Sequence, residues 1–503
     1  MKKIVVVPLD ERPCNYNFNQ WLAPQTDFKL VLPPLDILGE KKQVGDVEAI
    51  NEWLINESKD AYGAVIAIDT LLYSGIIPSR LHNDSSDTLN RRLNVLKTIR
   101  KTNPKLKIYA YNLIMRNPKY SSSEEEPDYY ADYGREIHRH GVITHKKDLE
   151  IASSDELKEL SHIESVLPSE FQEDYLNRRK INLSLNQEFL NYIHDKTIDF
   201  GVIPQDDSSP YGLTAIDQQT IKKSINDLTI DNDVYMYPGA DEVTNTLIAR
   251  MINKVHQKEP KIKVHYMSAI GPSIIPLYED RPVDVTLGYQ ILATGGKRVD
   301  SFDHADILLI MNTPGGAMKE ASAYPDSGIE YSAFRNFHET FDLLKDALSK
   351  GLSPVIGDIA YANGGDFEIL RFLKANDLLY SIGGYAGWNT SSNTLGTAIP
   401  QGMIHNIYGN SQKHKDFLAL RYIEDIGYCS FVRKEVSELL PAKNLSYTTL
   451  DGVNGEVSVM IQEKLQSFSD THLKTDTYHP IILESYQPWN RMFEVGLKVK
   501  VNT

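Results

Sequence analysis

Apolar residues recur along this chain in two alternating rhythms. Short β-rich runs at residues 4–7, 28–32, 64–68, 106–111, 200–203 and 234–237 read as strands. Between them, residues 47–57, 89–100, 185–194, 216–228 and 243–255 carry apolar positions at helical spacing. A β-α-β series of this kind predicts a mostly parallel sheet with helices on both faces, or a barrel. The polar stretch 120–172 interrupts the series; SSSEEEPDYYADYGREIHRHG is too acidic and aromatic for a plain linker, and its length predicts a helical insertion over the mouth of the sheet.

From residue 261 the pattern starts again. Strands are expected at 263–267, 307–311, 354–357 and 379–382, with helices at 284–292, 334–348 and 368–374. The halves echo one another: PLDERPCNYNFNQWL followed by FKLVLPP resembles PLYEDRPVDVTLGYQIL followed by KRVDSF, and QDDSSPYGLTAI parallels GWNTSSNTLGTAI. Repeated order of this kind points to duplication of one α/β unit. After residue 413 the register changes to one long helix over 417–440, a linker and helix over 450–468, and strand-like alternation over 478–502. The expected organisation is an α/β unit over 1–258 with its insertion, a second over 259–410, and a smaller α+β cap over 411–503. The units are expected as two facing doubly wound halves of Rossmann or flavodoxin type, with a TIM-type barrel as the alternative.

At 503 residues the chain buries ample core without staples, and its two cysteines, Cys14 and Cys429, make no disulfide framework. No apolar leader follows Met-Lys-Lys and no stretch approaches a membrane span, so a cytoplasmic location is expected. A formal net charge of −15 argues against a nucleic-acid binder and favours a small neutral or cationic substrate. There is no P-loop, nucleophile elbow, HExxH or CxxC motif, so no nucleotide, metal or other cofactor is expected. His138 and His140, in HRHG, read as a solvated loop.

The sharpest chemical signal is DFGVIPQDDSSPYGL, where a short strand delivers Asp206 and Asp207 into a Ser/Pro/Gly turn. Two carboxylates forced together have their proton affinities split, leaving one an acid and the other ionised. Such a pair suits a glycosidase whose substrate supplies its own nucleophile, one acid protonating the leaving group and the other orienting the substrate. The bland reading is a turn in which one aspartate caps the next helix. PLDERPCN, after the first strand, adds Asp10 and Glu11 as alternative catalytic carboxylates, with Arg12 and Asn15 as substrate-binding groups. Polar residues end most other strands: Asp69, Asn112, Arg116, Tyr211 and Asp241 in the first half, and Asn312, Asp358, Asn363, Tyr385, Trp388 and Asn389 in the second. Polar strand ends with an indole to stack on a ring are what a hydroxyl-rich substrate requires. Trp489 reads as a core residue.

The motifs PLDERPCN, IDTLLYSGIIPSR, PQDDSSPYG, PGADE, GDIAYANGGD, GYAGWNTSSNTLG and PWNRMFE, in that order, resemble a bacterial family defined as a domain of unknown function. The resemblance spans essentially the whole chain and brings no activity with it. More loosely, the Asp-Asp pair closing a mid-chain strand is similar to that of substrate-assisted N-acetylhexosaminidases. The expected function is therefore a carbohydrate-active, glycosidase-like hydrolase, N-acetylhexosaminides included among its substrates. The alternatives are a metal-dependent hydrolase or lyase using Asp10, Asp69 and Asp206, and a sugar-binding protein without chemistry.

Overall fold

The structure, a computed structural model, describes residues 1–325 and 327–502. The chain divides into two compact units: Met1–Glu11 with Lys29–Thr244 and Tyr278–Asp280, and Arg12–Phe28 with Asn245–Leu277 and Arg281–Thr503.

The first unit is built on β1 (Lys2–Val7), β2 (Phe28–Val31), β3 (Gly63–Ala67), β4 (Lys107–Tyr111), β5 (Phe200–Gln205) and β6 (Val234–Pro238), in the sheet order β2-β1-β3-β4-β5-β6. The pairings β1 with β3, β3 with β4, β4 with β5 and β5 with β6 are all parallel. Ile4 to Val7 and Ala64 to Ala67 have no exposed surface, as expected of strands covered by helices on both faces. The insertion is helical over Tyr130–Asp148 and Ser154–Val166, and its last helix, Ser169–His194, runs straight into the approach to β5.

The second unit contains β7 (Lys261–Tyr266), β8 (Lys297–Val299), β9 (Ile307–Asn312), β11 (Ser353–Asp358) and β13 (Gly384–Ala386), in the parallel order β13-β11-β9-β7-β8. The two-residue strands β10 (Lys319–Glu320) and β12 (Tyr361–Ala362) pair beside it, and β14 (His479–Tyr486) with β15 (Gly496–Asn502) forms an antiparallel hairpin. Helix Gln412–Arg421 packs on β15 and helix Glu456–His472 on β14, so residues 411–503 are part of this unit.

Numbered within its own unit, each sheet runs 2-1-3-4-5, the flavodoxin-like order, with a sixth strand added to the first. Both are open sheets, so the doubly wound alternative holds and the barrel does not. The sequence echoes fall at matching places in this topology. PLDERP and PLYEDRP both lie between the first and second strands of their units, and QDDSSPYG and GWNTSSNT both follow the fifth. That coincidence supports duplication of one unit.

Three expectations need correction. Residues 379–382 form a turn, and the strand is Gly384–Ala386. Leu379 and Ile382 are buried without pairing, while a side chain at Gly384 would meet the Ala398 carbonyl at 2.9 Å, so only a glycine lets the strand lie under helix Ser391–Tyr408. The expected long helix over 417–440 carries a π-helical stretch, Tyr422–Val432, between Gln412–Arg421 and Arg433–Leu439. His138 and His140 sit half-buried on helix Tyr130–Asp148, where His138 Nδ1 bonds the Asn117 carbonyl at 2.9 Å.

Candidate active site

In the first unit, the carboxyl ends of β1, β3, β4, β5 and β6 lead directly into Asp10, Asp69, Asn112, Asp206 and Asp241. This is the edge at which open α/β sheets bind ligands. After β4 the chain does not leave the sheet at once. Asn112 and Ile114 donate their backbone N–H groups to Val202 and Pro204, and Ile114 bridges to Gln205, so the segment follows β5 to its end. Arg116 and Asp207 each lie two residues past that bridge. Their meeting is a matter of register.

Arg116 is then gripped by the insertion. Tyr175 donates to the Arg116 carbonyl at 2.7 Å, Tyr130 to that of Pro118 at 2.8 Å, and Met115 packs into the apolar cluster of Tyr130, Ile137, Leu160 and Tyr175. The guanidinium donates from Nε to Glu126 at 2.7 Å, from Nη2 to Glu125 at 3.0 Å and from Nη1 to Asp207 at 3.2 Å. Arg80, on the short helix Pro78–Leu81, makes the parallel set: Asp206 at 2.8 Å, with Glu125 and Glu126 both at 3.3 Å. Four carboxylates are thus gathered on two guanidiniums. Neither aspartate caps helix Leu213–Leu228, whose N-cap is Gly212 at φ +117°, so the bland reading of the pair is not realised.

Asp206 and Asp207 keep 19 % and 20 % of their side chains exposed, enough to be reached, whereas Glu126 is 1 % exposed and its Oε2 has no hydrogen-bond partner among the described residues. Burial raises the proton affinity of Asp206, and the charge of Asp207 raises it further. Burial also raises that of Asp207, against the pull of Arg116 and Arg80. Asp207 has φ +44°, a left-handed conformation that costs a non-glycine residue about 1 kcal/mol or more and is typical of functional turns.

Other acids at the same edge are more deeply buried. Asp69 accepts from Asn112 Nδ2 at 3.2 Å and from the Leu113 amide at 3.0 Å, and burial pushes its carboxyl up to about 6. Asn112 is held in turn by Asn186 at 2.7 Å, which makes it a positioning residue. Glu242, beside Asp241, is pushed up to about 8 by burial and accepts from the Ala240 amide at 2.9 Å. Asp10 and Asp241 are both buried, and with Asp69 they raise the Tyr111 hydroxyl, which is buried first of all. Glu11 accepts from the Lys41 amide at 3.1 Å, and Tyr211, half-buried, lies under the Lys146 ammonium at 5.3 Å.

The second-unit candidates fall into separate groups. Asp358 accepts from Asn312 at 2.8 Å, from Tyr385 at 2.7 Å and from the Asp366 amide at 2.7 Å, and burial together with the charge of Asp366 pushes it up to about 7. The first unit bridges its third and fourth strands by Asp69 and Asn112; the second does so by Asn312 and Asp358, with the two residue types exchanged. Asn363, at φ +60°, donates to Glu320 at 2.9 Å and takes its backbone partner from the Asn389 carbonyl at 3.1 Å. Trp388 is buried edge-on against Phe18, ring centroids 5.5 Å apart, and donates to Thr397 at 3.2 Å. Arg12 stacks on Trp489 at 4.6 Å, so Trp489 is a core residue, and Asn15 is fully buried on the same helix turn.

Arg80, Glu125 and Glu126 were not singled out in the sequence. Arg80 was signalled by its place as the lone charge in LLYSGIIPSRL, and the two glutamates by the EEE run just before Pro127. Among the described residues, no group of three or more His, Cys, Asp or Glu is arranged to hold a metal ion, and no helix is long and apolar enough to cross a membrane.

Fold and site together define an α/β protein of two flavodoxin-ordered units, the first carrying an acid–arginine cluster at the carboxyl edge of its sheet. Residues 4–498 match the family described as a protein of unknown function, DUF4127, and the chain belongs to that family. Neither a curated protein nor a solved structure matches it.

Proposed function

We propose that the carboxyl edge of the first unit is the acid–base centre of a hydrolase acting on a hydroxyl-rich, sugar-like small molecule, with glycosides, N-acetylhexosaminides among them, as the substrate class. One observation carries this reading. Asp206 and Asp207 are reachable, adjacent, and held with Glu125 and Glu126 around the guanidiniums of Arg80 and Arg116. Repulsion within such a cluster is relieved when a carboxyl keeps its proton, and a protonated acid beside an ionised one is the equipment for general-acid catalysis. One aspartate gives its proton to the leaving-group oxygen as the glycosidic C–O bond breaks. Its neighbour orients the acetamido group, whose carbonyl oxygen closes on the anomeric carbon until water opens the ring and returns a proton to the acid. The arginines fix both carboxyls in place; they are positioning residues. Glu242, pushed up to about 8 by burial, keeps its proton at neutral pH and adds no charge to the surrounding edge.

The test is turnover of a panel of 4-nitrophenyl glycosides, N-acetyl-β-glucosaminide included, read by product mass. The reading expects cleavage by the native chain and none by the Asp206→Ala/Asp207→Ala double variant with an unchanged circular dichroism spectrum. Equal turnover by both proteins, or none by either across the panel, ends it.

A further inference from the structure

The second unit encloses a cavity of about 930 Å³, a size suited to a small-molecule site. It opens at the carboxyl edge of the sheet, with Tyr266 and Met267 from the end of β7, Arg335 and Phe337 from the segment after β9, and Tyr361 and Asp366 from the segment after β11. The first and third strands of this unit, β7 and β9, are its topological switch point, where folds of this order bind ligands.

Aromatic rings form the walls. Phe337 and Phe372 stack at 5.0 Å and are only half-buried, and Tyr331 stacks on Tyr361 at 4.6 Å behind them. At the floor, Arg335 is 7 % exposed. Its Nε and Nη2 each donate to the Tyr331 carbonyl, and its Nη1 donates to Asn312 and Asp366. A guanidinium has five N–H donors. Four are used among the described residues, which leaves the fifth, on Nη2, for an occupant. The charge of Arg335 is already met by Asp366 and that of Arg371 by Glu368, while Glu339 at the rim accepts from Asn336 at 2.8 Å. An anion would therefore enter without a free guanidinium to meet it, and Glu339, an exposed carboxylate with a neutral partner, stands at the rim and not at the floor. An uncharged ring with an apolar CH face and an oxygen acceptor fits the walls and the floor together.

We propose that this cavity is a binding site for an uncharged saccharide, separate from the acid–base centre of the first unit and independent of whether that centre is catalytic. Saturation-transfer difference NMR on the full chain tests it, with N-acetylglucosamine, cellobiose and maltose as probes and adenine as a planar, non-sugar control. The variants are Phe372→Ala, which removes a wall, and Ala333→Trp, at an exposed lining position where an indole fills the space without disturbing core packing. The proposal expects transfer to at least one sugar, weakened about tenfold or more by each variant. It expects no change in the Asp206→Ala/Asp207→Ala background, so that loss of the hydrolase reading leaves this one standing. No transfer to any sugar, transfer unchanged in both variants, or stronger transfer to adenine than to every sugar would overturn it.

Discussion

Replacing Asp69 by asparagine probes the buried acids at the carboxyl edge of the first unit. In the folded chain this carboxyl is pushed from an ordinary 3.8 up to about 6 because it is buried, and the donors Asn112 and Leu113 only partly offset that cost. The folded state therefore holds its proton more tightly than the unfolded state. Between pH about 4 and about 6 the unfolded chain has lost the proton that the folded chain still carries, so stability falls as pH rises through this window and then levels off. A difference of about two pH units corresponds to about 3 kcal/mol. The asparagine side chain would keep an oxygen for both donors and carry no charge at any pH. Asp69→Asn is thus expected to gain on the native chain by about 3 kcal/mol between pH 4 and 8, whatever constant offset the substitution brings. Amide exchange by mass spectrometry, on peptides covering β1, β3 and β4, reads the opening free energy of this unit. Comparing both proteins at each pH cancels the intrinsic exchange rates. A difference that stays flat from pH 4 to 8, or that turns against the variant as pH rises, would refute the argument that Asp69 is a desolvated acid.

Other expectations follow from single contacts. Arg116→Lys cannot reach Glu125, Glu126 and Asp207 at once and strands buried carboxylates, a loss of about 3 kcal/mol; an unchanged melting temperature would show that the cluster is not held this way. Gly365→Ala would drive a methyl to 2.3 Å from the Tyr385 hydroxyl and 3.2 Å from Asp358 Oδ2, so it should destabilise the second unit by about 1–3 kcal/mol by overpacking, and a neutral result in urea melts would contradict the packing. His405 and His414 lie 4.6 Å apart and are pushed down by burial to about 4 and about 3. Their contribution to stability is present above the unfolded histidine pKa of about 6.5 and is lost as pH falls through it towards 4; His414→Gln should flatten that acid limb in thermal melts, and an unchanged limb would remove these residues as its cause.

Much of this architecture was legible because its signals are local. Helices Val47–Glu57 and Val243–Val255 fall where apolar spacing places them, and the apolar runs that end in Asp or Asn are strands whose carboxyl ends carry polar groups. The echo between PLDERP and PLYEDRP was visible as text, and topology gave it meaning only once each motif was seen between the first and second strands of its sheet. What escaped was set by tertiary packing. Gly384–Ala386 is three residues long, and its first position must be a glycine because a side chain there would meet the Ala398 carbonyl of helix Ser391–Tyr408, while the more apolar residues 379–382 bury as a turn. The site was half legible. Asp206, Asp207 and Arg116 stand at strand ends and announce themselves, but Arg80 lies 126 residues from Asp206 in sequence, and 45 and 46 from Glu125 and Glu126. Only the insertion, closing over Met115 and Arg116, brings them together. Trp388 shows the converse: an indole among Gly and Asn read as a stacking surface, yet its ring is spent on Phe18 and its N–H on Thr397.

The central claim, that the Asp206–Asp207 pair supplies a proton to a leaving group, is tested most directly by varying how much the leaving group needs one. A 2,4-dinitrophenyl glycoside departs unaided, whereas the matching methyl glycoside must be protonated. Asp206→Asn and Asp207→Asn should each be measured on both substrates. The account predicts that the variant lacking the acid loses about 10²–10⁴-fold in turnover of the methyl glycoside while keeping most of its rate on the dinitrophenyl one. Equal losses on the two substrates in both variants, or no loss on either, would contradict it.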